Sequence, residues 1–533
     1  MSDFKRTTCP FCLNGCESGV NFNYQYRMEY VMDGKVNQGR LCPRGNSASI
    51  VIDHPRRLAY PLLDGKEITW EQAFGKVKEW LARVRPEEIA VVFSRGLTEQ
   101  EVRLVGGLAQ ALGTTNLVCG YIEPDNCFGQ ELAGVAAAAL DDFLTAKTML
   151  IAGDVFSKSP VAAKPIVDAR YRDRTSRIVV IDSIKTKLAG FAHLFIWVRP
   201  GTEPWALAAI AALLDRSLKG IDVDGFARLC GVERAQLQEA AKIVSGTDAG
   251  IVISAMCLGR ASAPVLHNLC SQLVALKAGK PFVGFGEARI PEGPMPFGKF
   301  MEAVAAGHIK TVLWFGSLYP YSYPEIFPEM KNVTNRVATS IFRPEETLPG
   351  LILPVPSELE KDSVGRSVWG EVVRHALARP VSGSRFVHQI VAELGVGAEA
   401  AIDRNPPVSV QEVVTMLAAA ASGLVQTNGE DGFLLLGEKR AFGIGGFYDA
   451  EQELSINPTD AINLGVSDGN RVVVKSDTNE REFSAKVTGA FPAGAMGVGV
   501  NVHANRALFP LVVERATGRV TVPPARVRVW RKG

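Results

Sequence analysis

The spacing of apolar positions changes character twice along the chain. Residues 1–58 show no sustained period and read as loop-rich, with short extended pieces such as MEYVMDG. From about residue 59, helical and strand-like runs alternate. WEQAFGKVKEWLARV (70–84) and LTEQEVRLVGGLAQALG (97–113) place apolar residues at helical spacing. EIAVVFS (88–94), TMLIAGD (148–154), RIVVIDS (177–183), FIWVRPG (195–201), GIVISAM (250–256) and TVLWFGS (311–317) are short apolar runs ending in small or polar residues. That is the pattern of buried strands. PWALAAIAALLDRSL (204–218) and RAQLQEAAKIVSG (234–246) read as helices between them. The alternation predicts an α/β fold with a mostly parallel sheet covered on both faces, and ligands at the carboxyl ends of strands. Residues 393–410 are polar with a Pro pair and read as a surface linker, and a helix is expected over 411–424. From about 430 the runs GFLLLGE, GNRVVVKSD, REFSAKVTG, GAMGVGVNV and RVRVWR predict short strands closing into a β-barrel.

Composition narrows the function classes. The chain has 533 residues, 47% hydrophobic and 21% charged. That length predicts roughly two to four domains at ~100–200 residues each. Lys+Arg number 58 against Asp+Glu 56, a net charge of +2 that gives no reason to invoke nucleic acid or a membrane surface. The most apolar stretches, 206–214 and 132–140, are about half the ~20 residues a spanning helix needs. Both read as buried helices, and no direct membrane insertion is expected. The N-terminus MSDFKRTTCPFC carries no apolar signal region and no twin arginine, so a cytoplasmic location is expected.

Nine cysteines are too few for a secreted disulfide framework in so long a chain. Four are bunched, Cys9, Cys12, Cys16 and Cys42, as C-x2-C-x3-C followed by 25 residues and the fourth cysteine. Four thiolates from one loop-rich segment can enclose a metal centre, and zinc and a [4Fe–4S] cluster both accept four cysteines. The tight triplet with a distant fourth, followed at once by Pro43, favours the cluster. A structural zinc site and unliganded buried cysteines remain the alternatives.

At TTCPFCLNGC, GRLCPRG and HPRRLAYPLLDGKEITWEQAF, the sequence resembles the start of the molybdopterin oxidoreductases, the bis-(molybdopterin guanine dinucleotide) enzymes of the formate dehydrogenase and dimethylsulfoxide reductase kind. The resemblance continues in order through RIVVIDSIKTKLAGFAHLFIWVRPGTEPWALAAIAALL, LPGLILPVPSELEKDSVGRSVWGEVVR and LSINPTDAINLGVSDGNRVVVKSD. It implies a [4Fe–4S] domain over 1–58, discontinuous α/β domains around a central cofactor cleft over 59–395, a linker and helix over 396–429, and a cofactor-closing barrel over 430–533. It also implies two molybdopterin guanine dinucleotides holding molybdenum or tungsten. Glycine turns at strand ends suit such cofactors, because backbone N–H groups approach phosphate where no Cβ intervenes. By position, Gly153, Asp154, Asp182, Thr186, Gly201 and Gly316 are candidate contacts in the sheets, and Gly443, Gly445, Asn501 and His503 in the barrel.

The resemblance places Cys127, in NCFGQELAGV, at the family's protein ligand to the metal, with Asp125 and Cys119 as nearby rivals. A helix expected from about Gln130 would favour the thiolate that a soft metal needs. Arg289, in GFGEARIPEG, matches the family's active-site arginine, whose guanidinium can grip a carboxylate at two points. Arg44 stands where many formate dehydrogenases have Lys and is expected between cluster and pterin. Phe128 stands where formate dehydrogenases have His, and it cannot move a proton. The chain is also shorter than is common for such catalytic subunits.

The implied activity is a two-electron oxidation of formate or reduction of CO2. No second cysteine cluster and no GxGxxG at the first strand–helix turn is present, so electrons are expected to pass through the cluster to a separate iron–sulfur or flavin subunit. The alternatives are a formylmethanofuran dehydrogenase-like or other small-substrate oxidoreductase subunit, or a non-catalytic electron relay resembling the large iron–sulfur subunit of respiratory complex I.

Overall fold

A computed structural model describes residues 4–21, 27–94, 96–120, 131–257, 259–260, 263–286, 293–316, 330–343, 349–395, 397–402, 406–421, 432–438, 452–500, 503–513 and 519–532. The chain divides into two units. One comprises Met1–Phe11, Gly15–Tyr121 and Arg289–Asn405; the other comprises Cys12–Asn14, Ile122–Ala288 and Pro406–Gly533.

The first unit is built on a seven-stranded sheet. Its five parallel strands lie in the order Leu351–Pro354, Asn335–Ser340, Thr311–Phe315, Ile89–Phe93, Leu117–Cys119. Every residue of Ile89–Phe93 and Thr311–Phe315 is buried, which is why both read as unbroken apolar runs. Helix Glu99–Ala111 starts in a capping box between Thr98 and Glu101 and buries Val102, Val105 and Leu108. The segment read as a linker is tied to this helix. Ala400 N donates to Arg103 O at 3.0 Å, Arg103 pairs with Glu399 at 2.8 Å, and Ile402 packs where Gly106 leaves room. An antiparallel sheet of Phe4–Thr8, Glu17–Asn21 and Arg27–Tyr30 forms the N-terminal part. A hairpin, Ser363–Ser367 with Gly370–Arg374, lies against its first strand: Thr8 Oγ1 donates to Val373 O at 3.0 Å, and His375 N donates to Thr7 Oγ1 at 3.1 Å.

The second unit holds a five-stranded parallel sheet in the order Leu194–Trp197, Arg177–Asp182, Thr148–Gly153, Gly250–Ala255, Phe282–Gly284. Helices Glu203–Leu214 and Pro264–Ala278 pack together in its core. The first was legible from its apolar run. The second is buried nearly all round, so no amphipathic period marks it. A closed six-stranded barrel follows, ordered Phe433–Glu438, Ala495–Gly499, Glu453–Ile456, Glu480–Val487, Arg471–Lys475, Ala525–Arg531. Glu453–Ile456 is the strand that the apolar pattern did not pick out.

One expectation fails. Residues 132–140 are expected to be a buried helix, but those from 131 to 139 are irregular, with a turn at Ala133–Gly134, and are mostly exposed or half-buried. Phe282 N donates to Ala136 O and Ala138 N to Phe282 O, both at 2.9 Å, so this piece borders the edge strand Phe282–Gly284. Gly134 at φ +82 breaks any helical run, and the edge strand offers the backbone partners that an isolated short helix lacks. The next helix begins only at Leu140. The helix start invoked beside Cys127 is therefore not formed over these residues. Among the described residues, no helix is long and apolar enough to cross a membrane.

Candidate functional site

In the five-stranded sheet the chain runs outward one way through Arg177–Asp182 and Leu194–Trp197, then the other way through Gly250–Ala255 and Phe282–Gly284. The order reverses between Thr148–Gly153 and Gly250–Ala255, and that reversal opens a crevice at the carboxyl ends. Gly153 stands there at φ +88, and a Cβ on it would lie 2.3 Å from Ala255 O. Asp154 follows, caps helix Val155–Lys158 and accepts from Ser157 N at 3.3 Å. The neighbouring strand ends in Asp182, buried and paired with Arg260 at 3.1 Å. Beyond it the turn packs on the barrel. Lys185 N donates to Ala490 O at 2.8 Å, and Ile184 joins Leu434, Leu436 and Phe491 in one cluster. On the opposite side, Gly437 N donates to Gly259 O at 2.8 Å beside Arg260. The barrel is thus pinned to the strand ends at two points.

Three carboxylates are buried at these strand ends. Among the described residues, Asp154, Asp182 and Glu203 lie near the guanidinium of Arg260, all four are buried, and Lys158 is buried on the helix that Asp154 caps. Asp182 Oδ2, both carboxylate oxygens of Glu203 and Thr186 Oγ1 meet no hydrogen-bond partner. Burial raises Asp182 to about 6, with Arg260 opposing and Asp154 assisting. Burial raises Glu203 to about 7; Ser183, beside it without a hydrogen bond, and Arg260 oppose, while Asp182 assists. Burial disfavours the charged form of Arg260, but the surrounding carboxylates outweigh this and raise its pKa. His267, buried on helix Pro264–Ala278, is lowered to about 4 by burial, so it is neutral near pH 7. A buried group with this many unpartnered oxygens suits a ligand that presents several N–H donors.

A pH signature follows. The folded pKa of Glu203 lies above its unfolded value, so the folded chain holds the extra proton between the two. Stability from this group is full below about pH 4.5 and is lost as pH rises through about 7. Glu203→Gln should therefore stabilise the cofactor-free chain at pH 8 by on the order of 3 kcal/mol, and by nothing near pH 4.5. Thermal melts of both proteins across that range check it; an equal shift at every pH would contradict the assignment.

Of the residues singled out from the sequence, Gly153, Asp154, Asp182 and Thr186 gather at this crevice. Gly201, buried at φ +81, sits two residues before Glu203. Gly316 belongs to the other unit, and its N–H and C=O are both taken by Thr339 Oγ1, at 2.8 and 2.6 Å. That leaves its backbone no free donor for a phosphate, contrary to what its position at a strand end suggested. Cys127, Phe128, Asp125, Arg289, Gly443, Gly445 and Asn501 lie outside the described residues, as does the side chain of His503. Cys119 ends its strand and is buried. The sequence reading missed Glu203 and Arg260. Each is a lone charge in an apolar surrounding, the first residue of an otherwise apolar helix and a cation in the turn AMCLGRASAP. That is the one signal that could have marked them.

The four clustered cysteines are free thiols. Cys9 N donates to Cys16 O at 2.8 Å, closing the loop that carries Cys12. Cys42 is the N-cap of helix Pro43–Asn46, and a Cβ on Gly45 in that helix would lie 3.6 Å from Cys9 Sγ. Arg44, in the same helix, is buried rather than solvent-facing. Among the described residues, no three His, Cys, Asp or Glu side chains are placed to hold a single metal ion. A four-iron cluster takes one thiolate on each iron, so its ligands stand farther apart than those of one zinc ion.

No family model matches the chain. It is 27% identical over 299 residues to the F420-dependent formate dehydrogenase subunit alpha of Methanocaldococcus jannaschii, a match covering 48% of this chain and 42% of that protein, so less than half of that relative's length is spanned. It is 23% identical over 629 residues to the NADPH-Fe(3+) oxidoreductase subunit alpha of Geobacter sulfurreducens, covering 96% of this chain and 74% of the relative. Among solved structures, acetylene hydratase from Pelobacter acetylenicus superposes with a TM-score of 0.71 over 99% of this chain and 100% of that one. At 13% identity, that likeness is one of fold.

Proposed function

The chain belongs to the molybdopterin oxidoreductases, and from that premise we propose that it is the catalytic subunit of a formate dehydrogenase-like enzyme. It would carry two molybdopterin guanine dinucleotides with molybdenum or tungsten, and one [4Fe–4S] cluster. When bound, the pterin-held metal would supply two-electron exchange and the cluster one-electron chemistry, with an iron–sulfur or flavin partner subunit as the acceptor.

The observation that carries this reading is the buried acid group around Arg260. The unpaired oxygens of Asp182 and Glu203 are acceptors in search of donors. Guanine offers ring and exocyclic N–H donors along one edge. Gly153 adds a strand end where only a residue without Cβ fits, so a long cofactor can lie close to the backbone. Thr186 and the turn at Gly201 border the same crevice. The two sheets each reverse strand order once, which supports one dinucleotide site in each unit.

The chain's own residues take the following parts. Cys9, Cys12, Cys16 and Cys42 hold the cluster, and the fixed charge of Arg44 lies beside Cys42. Cys127 gives the metal its protein thiolate, and Arg289 orients a carboxylate substrate by a two-point grip. Gly443, Gly445, Asn501 and His503 belong to the barrel's share of the cofactor contacts. Phe128 offers no titratable group, so proton removal from the substrate falls to another group or to water.

Anaerobically purified protein, loaded with cofactor, tests the reading. Metal analysis should find iron together with molybdenum or tungsten, acid treatment should release guanine nucleotide, and formate should reduce a viologen dye. Iron without either heavier metal would favour the electron-relay reading. Full cofactor without formate turnover would move the substrate to another small compound, as in a formylmethanofuran dehydrogenase-like subunit.

A further inference from the structure

The seven-stranded sheet reverses its order between Ile89–Phe93 and Thr311–Phe315. Its crevice is therefore expected where the chain leaves the first of these strands, at Ser94. Gly96, between that strand and helix Glu99–Ala111, has φ +87. Its carbonyl accepts from Lys361 Nζ at 3.1 Å. Lys361 arrives from beyond strand Leu351–Pro354, is 4% exposed, and pairs with Glu101 at 2.9 Å. Its neighbour Glu360 pairs with Arg57 at 2.6 Å, so the segment is anchored on both sides.

Helix capping does not account for Lys361. Glu101 already accepts from Thr98 N at 2.8 Å, which completes the capping box. The box between Thr69 and Gln72 does the same job at the surface with no cation. A buried ion pair costs desolvation on both sides, and capping returns none of that. What the ammonium adds is its grip on Gly96 O. A trans peptide points its C=O and N–H in opposite directions. With the Gly96 oxygen held, the Leu97 N–H turns the other way, and among the described residues no acceptor meets it.

We propose that Lys361 is a positioning residue of the dinucleotide site in this unit: by holding the Gly96 carbonyl it presents the Leu97 N–H to a phosphate of the cofactor. Glu101 is the counter-ion that keeps the ammonium in place. The proposal rests on the functional reading above.

Lys361→Met alone would strand the buried charge of Glu101, so the informative protein is K361M/E101Q, with K361R as the conservative control. Leu97→Pro removes the same N–H without touching the ion pair, and serves if the double variant does not fold. After cofactor loading, guanine nucleotide released per chain should fall from about two to about one in K361M/E101Q and in Leu97→Pro. K361R should keep both, and iron content should stay at the wild-type level in all three. Undiminished nucleotide in K361M/E101Q or in Leu97→Pro would overturn the proposal while leaving the functional reading intact. Wild-type chain with no guanine nucleotide at all would sink that reading, and the proposal with it.

Discussion

Gly153→Ala should destabilise the chain by about 3–5 kcal/mol and remove one guanine nucleotide from the loaded protein. Two costs add at this position. The backbone sits at φ +88, which an L side chain adopts only with strain. The new Cβ would also stand 2.3 Å from Ala255 O and 2.9 Å from its carbonyl carbon. Those are backbone atoms of a paired strand, so no side-chain rotation relieves the clash. Asp154 N donates to the same Ala255 O at 3.0 Å, and separating the strands to make room would break that bond. Because Asp154 and the Asp182–Arg260 pair lie at the same strand ends, the displacement would be felt in the crevice. Gly190→Ala is the matched control, since a Cβ there meets nothing within 4 Å. Thermal melts and nucleotide analysis read both effects. A Gly153→Ala protein with wild-type stability and nucleotide content would remove the crevice from the site.

Cys127→Ala should lower turnover at least about 1,000-fold, some 4 kcal/mol in the barrier, while iron content stays at its wild-type level. The two readouts separate because the proposed cluster would take its thiolates from Cys9, Cys12, Cys16 and Cys42, none of them altered. A thiolate bound to the metal sets its charge and one face of its coordination, and alanine can replace neither. Cys119→Ala is the rival test, because Cys119 ends a buried strand only a few residues earlier. Full activity in Cys127→Ala with loss in Cys119→Ala would transfer the ligand role.

The legible features were those written in short windows of sequence. The strand runs TMLIAGD and RIVVIDS reappear as Thr148–Gly153 and Arg177–Asp182, because burial on both faces demands uninterrupted apolar residues. The short helix Pro43–Asn46 after Cys42 was not legible, because four residues carry no apolar period and the segment reads as loop. The alanine-rich stretch 132–140 misled for a physical reason: high helix propensity counts for little beside an open sheet edge and a glycine at positive φ. Helix Pro264–Ala278 was missed because burial all round erases periodicity.

The sequence by itself determined the alternating α/β architecture and the closing barrel, because apolar period acts over a few residues. Only the tertiary structure decided where each sheet reverses its strand order, and so which loop ends form a crevice. It also brought Arg260 to Asp182 and Lys361 to Glu101, the second pair 260 residues apart in sequence. No local pattern carries such a pairing. It exists because a charge buried at a strand end must find an opposite charge from whichever element the fold delivers there.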